Sequence, residues 1–77
     1  MEEWQERILV DPAVMGGKPV IKGTRVPVQV ILGSLAGGMT AEEVCREYTL
    51  SEQDVRAALA YAAEVLAQER VHALPAR

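Results

Sequence analysis

Two helix starts separated by a three-residue turn restrict this chain more than any other feature. Thr40 precedes an apolar-periodic run and is followed three residues later by Glu43. That is capping-box spacing: the hydroxyl accepts from the third helical N–H, and the carboxylate accepts from the threonine's own N–H. Ser51 repeats the pattern with Asp54, again placing acid in a first helical turn. Helices are therefore expected over 41–48 and 52–69, joined by Thr49-Leu50-Ser51. A helix-turn-helix needs a small residue where its helices cross, an apolar plug in the turn and a buried aliphatic residue early in the second helix. Cys45, beside Val44 and Tyr48, supplies the first; Ala41 completes that packing face. Leu50 is the plug, and Val55 with Ala58 and Leu59 forms the buried side of the second helix. Thr49 stands where a turn glycine is usual, so a turn unlike the DNA-binding kind is expected.

Upstream, Pro27 suits a first helical position, and Val28, Ile31, Leu32, Leu35 and Met39 keep three-four spacing. This predicts a helix over 28–37, stopped by Gly37-Gly38 with one glycine in a left-handed cap. Residues 7–28 read as a β element: Ile8 to Val10, Val20-Ile21 and Val26 to Val28 are β-branched runs divided by Asp11-Pro12, Gly16-Gly17, Pro19 and Gly23. Lys22-Gly23-Thr24-Arg25 is expected to form a tight hairpin turn, with Gly23 at positive φ. Such a hairpin must pack on the helices or on a second subunit. In the longest helix, Val55, Leu59, Ala62 and Leu66, flanked by Ala58 and Val65, make the apolar stripe, and the alanines allow close helix approach. Residues 70–77 form a frayed or partner-ordered tail, since Pro75 ends any helix. The expectation is a single mainly α domain over 1–77 with a small N-terminal β-hairpin.

At 77 residues, with 49% hydrophobic and 25% charged residues, the chain is globular in composition but short of core. Partner burial would relieve that shortage, and homodimerisation is the simplest form of it. A net charge of −3 is the wrong sign for nucleic-acid binding through bulk charge. One cysteine makes no internal disulfide, and no Cys/His cluster has metal-ligand spacing, so neither metal nor cofactor is expected. MEEWQERILV is acidic and lacks a long apolar run, which argues against a signal peptide or membrane span and for the cytoplasm.

Lys18, Lys22 and Arg25 form the one local cluster of positive charge. It suits a phosphate or the acidic catalytic pocket of a metal-dependent nuclease. The plainer alternative is solvated lysines and a structural ion pair from Arg25 to Asp11 or Glu43. The Thr24 hydroxyl can cap the turn. On the second helix of the helix-turn-helix, Gln53 and Arg56 could reach base edges. Glu52, Gln53, Arg56 and Ala57 form its outward face, and Glu52 and Asp54 would repel phosphates. Cys45 reads as core, His72 as a surface residue of the tail, and Trp4 as a lid over a hydrophobic edge or a dimer contact. The first-turn acids are explained by the helix dipole. No nucleophile, base and oxyanion donor assemble, so an enzyme is not expected.

Asp11-Pro12, Gly17-Lys18-Pro19-Val20-Ile21, Gly23-Thr24-Arg25-Val26-Pro27-Val28, Thr40-Ala41-Glu42-Glu43 and Leu50-Ser51 together resemble a family of short bacterial and archaeal proteins. That family is known only as domain of unknown function number 433, and the resemblance runs from Ile8 to about Ala63. It implies a homeodomain-like or winged helix-turn-helix, three-helix fold. It also implies a VapB-like antitoxin that contacts a PIN-like nuclease toxin, with regulation of its own operon as a second role. DNA reading by a dimer through Gln53, Arg56 and the basic hairpin is the competing expectation; a purely structural subunit is a third.

Overall fold

A computed structural model describes residues 3–68. Glu69, expected as the last helical residue, and the tail with His72 lie outside them. The order is a 3-10 turn (Trp4–Arg7), β1 (Ile8–Leu9), a second 3-10 turn (Met15–Gly17), β2 (Val20–Ile21), α1 (Val28–Ala36), α2 (Ala41–Tyr48) and α3 (Glu52–Gln68). The protein is thus mainly helical, three helices with a small antiparallel N-terminal strand pair.

The strands pair through a longer connection than local turn chemistry suggests. Ile8 faces Ile21 and Leu9 faces Val20. The 22–25 turn also forms. Gly23 takes φ 83°, and the Thr24 N–H and hydroxyl both donate to the Ile21 carbonyl, at 3.0 and 2.7 Å. The Thr24 Oγ1 in turn accepts from the Val26 N–H at 3.0 Å. Beyond that turn the chain rejoins β2 only at a single bridge, Val20 to Pro27, because α1 starts at once. Pro27 is the N-cap of α1 rather than its first helical residue. β2 is therefore central, and Val20 and Ile21 are fully buried.

Each helix end has a local cause. At the close of α1, Gly38 takes φ 109°. The Met39 N–H then donates to the Ser34 carbonyl and the Gly38 N–H to the Leu35 carbonyl, both at 3.1 Å. This is the paired bonding of a Schellman cap. The capping box of α2 closes in both directions: Glu43 N–H to Thr40 Oγ1 at 3.1 Å, and Thr40 N–H to Glu43 Oε1 at 2.8 Å. Thr49 ends α2 in the left-handed region, φ 55° and ψ 54°. The turn thus keeps the backbone conformation a glycine would give it, and the departure expected from the residue type does not reach the geometry.

Ile21, Val28, Ile31, Val44, Val55 and Ala58 form the buried core, with Leu50, Tyr48 and Cys45 packed against it. Leu50 therefore sits as the plug, and the Ser34 and Tyr48 hydroxyls, 3.0 Å apart, tie α1 to α2. The faces of α2 and α3 differ from expectation. Ala41 is exposed. Ala57, expected outside, is buried, while Leu59 and Leu66 are 47% and 62% exposed. The cause is the first 3-10 turn, which packs along α3. Trp4 meets Tyr61 edge-on, ring centres 6.3 Å apart and planes at 74°. Covering the Ala57–Tyr61 side moves the buried arc of α3 around the helix and leaves the two leucines outside it.

Candidate partner-binding surface

The helix-turn-helix presents the first turn of α3, and its charges are answered within the chain. Asp54 divides its carboxylate: Oδ2 accepts from the Ser51 N–H at 3.0 Å and Oδ1 from Arg7 Nη1 at 2.9 Å. The Asp54 N–H donates to Ser51 Oγ at 3.2 Å. Partial burial alone would raise the Asp54 carboxyl. The Ser51 N–H, the Arg7 guanidinium and the Ser51 side chain outweigh it, holding the group below the ordinary value of 3.8. The Arg7 and Asp54 side chains are 27% and 15% exposed, so this pair is shielded where most surface pairs are not. Sequence reasoning missed it; the partners lie 47 residues apart and no local pattern joins them.

Glu52 accepts from Arg56 Nη2 at 3.1 Å across one helical turn, a solvent-exposed pair. Of the two candidate base readers, Arg56 is thus engaged with its own helix, and Gln53 is exposed between Glu52 and Asp54. The acids expected to repel phosphates each carry an internal counter-charge. Glu43 is held low mainly by the Thr40 N–H, then by the Thr40 hydroxyl.

Lys18, Lys22 and Arg25 are all exposed. No carboxylate among the described residues pairs with any of them. The alternative ion pair from Arg25 to Asp11 or Glu43 does not form. Asp11 accepts from the Ala13 N–H at 2.9 Å, and Glu43 is committed to its capping box. Thr24 is half-buried and acts on its own turn. The structure thus places the three cations and Thr24 on the segment around β2, and Gln53 with Arg56 on α3, as two separate sets.

Between the start of α1 and the end of α3 lies an open groove of about 380 Å³, lined by Pro19, Pro27, Leu32, Ala62, Val65 and Leu66. Tyr61, Gln29 and Lys18 bring its few polar atoms. No cluster of three or more His, Cys, Asp or Glu side chains suited to a metal occurs among the described residues. No helix among them is long and apolar enough to cross a membrane.

Known proteins match this arrangement. The family model described as "Protein of unknown function (DUF433)" matches residues 8–62. The uncharacterized protein y4eO of Sinorhizobium fredii is 36% identical over 59 residues, 75% of this chain but 27% of that protein. An uncharacterized protein of Archaeoglobus fulgidus is 74% identical over 23 residues, 30% of this chain and 64% of its own length. The chain therefore spans about a quarter of one curated relative and under two thirds of the other. A crystal structure of a DUF433 member from Anabaena variabilis superposes with a TM-score of 0.75 at 31% identity, covering 83% of this chain and 64% of that one. The crystal structure of Rv2018 from Mycobacterium tuberculosis does so with a TM-score of 0.64 at 32% identity, covering 73% and 27%. With the family pattern spanning both the strand pair and the helix-turn-helix, the chain belongs to the DUF433 family.

Proposed function

We propose that the chain is a binding module of the antitoxin type, which neutralises a PIN-like nuclease by direct contact and carries out no chemistry itself. One observation carries the reading: Lys18, Lys22 and Arg25 stand exposed around β2, and no described carboxylate answers them. A metal-dependent nuclease gathers carboxylates in its pocket, and a guanidinium on a fixed turn can engage a carboxylate bidentately. The family resemblance supplies the partner class. In this reading the pair acts in the cytoplasm, and the module is a homodimer, the alanines of α3 allowing a second helix to approach closely. Co-expression with a PIN-like nuclease tests the proposal. Co-purification and relief of growth arrest are expected, with both lost when Lys18, Lys22 and Arg25 are changed together to Glu in a chain that still folds. No complex and no relief with the unaltered chain would sink it.

The second reading is a dimeric regulator that binds its own promoter through Gln53, Arg56 and the basic hairpin. It is favoured by the left-handed Thr49, which keeps the turn in a glycine-like conformation. A promoter shift falling steeply with salt and weakened by Arg56→Ala is its signature; absence of any shift at low salt removes it.

A further inference from the structure

We propose that the groove between α1 and α3 receives an amphipathic helix of a different protein, one with an acidic residue beside its apolar face. This rests on reading the chain as a protein-binding module, and it adds the chemistry of the partner. The groove volume of about 380 Å³ accommodates a few aliphatic side chains and sits near the small end of the roughly 300–1,000 Å³ typical of ligand sites. Two helices frame it, and its lining is apolar, the setting in which three-four spaced side chains of a third helix anchor. Among the described residues only Lys18, Gln29 and Tyr61 bring polar side chains to it. Leu66, 62% exposed at the groove, is unfavourable in water and favourable under a partner.

Charge selects the partner. Lys18 is the sole charged residue of the lining among the described residues, it is exposed, and no described carboxylate pairs with it. A carboxylate from outside completes it, whereas a cation is repelled. A second copy of the chain is the alternative occupant that the test must separate, since its own α3 exposes Leu59 and Leu66 seven residues apart. Among the described residues, the other exposed large apolar ones are Val10, Met15, Val30 and Leu59, spread over the end of β1, the second 3-10 turn, α1 and α3.

The test uses the whole chain and two synthetic helical peptides, each with Leu at positions i, i+3, i+4 and i+7. One carries Glu beside that stripe and its twin carries Lys. Trp4 is the single tryptophan and touches Tyr61, which lines the groove, so its emission reports binding; methyl shifts of Leu32, Val65 and Leu66 locate it. The Glu peptide is expected to bind at least tenfold tighter than its twin. Leu66→Gln, at an exposed position, should weaken it about tenfold, and Lys18→Glu should reverse the preference. Equal binding of the twins, no methyl shift at millimolar peptide, or a homodimer that Leu66→Gln dissociates would each overturn the proposal. Nuclease neutralisation that survives Leu66→Gln would also overturn it while leaving the antitoxin reading intact.

Discussion

Thr49 holds a left-handed φ of 55° without the freedom of a glycine. For an L-residue that conformation costs roughly 1–2 kcal/mol. A glycine there avoids the strain but returns about 0.4–1 kcal/mol through the entropy of the unfolded chain. Thr49→Gly is therefore expected to stabilise the fold by about 0.5–1 kcal/mol, read as a higher urea midpoint with unchanged slope. A lower midpoint would mean the exposed threonine side chain contributes something the backbone does not. Residue identity is a good guide to the caps and a poor one to this turn. Thr40 with Glu43 and Ser51 with Asp54 are three residues apart, so local spacing alone reveals them. The substitution of Thr for Gly changes composition but not the path, because the flanking helices over-determine the turn.

Asp54 ties two elements together, since its carboxylate is shared between the Ser51 N–H at the head of α3 and Arg7 at the end of the first 3-10 turn. Its folded pKa lies below the ordinary 3.8. The stabilisation is therefore present above that value and lost as pH falls through the lower, folded one. Stability should decline as pH drops below about 4. Asp54→Asn should be less stable at pH 7 and show a visibly shallower acid dependence in melts between pH 5 and 2. Equal slopes in both proteins would exclude the linkage. Glu43, also held low, adds to the slope in the same window in both proteins. Contacts at this scale escape sequence reading. Arg7 to Asp54 and Leu9 to Val20 depend on where the chain returns. The burial of Ala57 over Leu59 depends on a turn at the other end of the sequence lying on α3.

At the scale of the whole molecule, the core is a short set of branched aliphatics with Ile31 fully buried among them. Ile→Ala in such a position costs about 2–5 kcal/mol, a large share of the roughly 5–15 kcal/mol that holds a typical domain together. Ile31→Ala is expected to lose most cooperative unfolding by 37 °C, while Leu59→Ala, at a half-exposed position, melts close to the parent. Similar melts for the two would contradict the assigned core. The fold class was legible because helix punctuation dominates this chain. The candidate surface was half legible. Lys18, Lys22 and Arg25 were visible as a cluster, but the groove exists only once α1 and α3 are set side by side. The central strand has a consequence of its own. Val20 is occupied on one flank by Leu9 and on the other by Pro27, and a proline offers no N–H to a further strand. With two-residue strands and one side closed by that ring, the sheet offers little template for edge-to-edge aggregation, even in a concentrated solution.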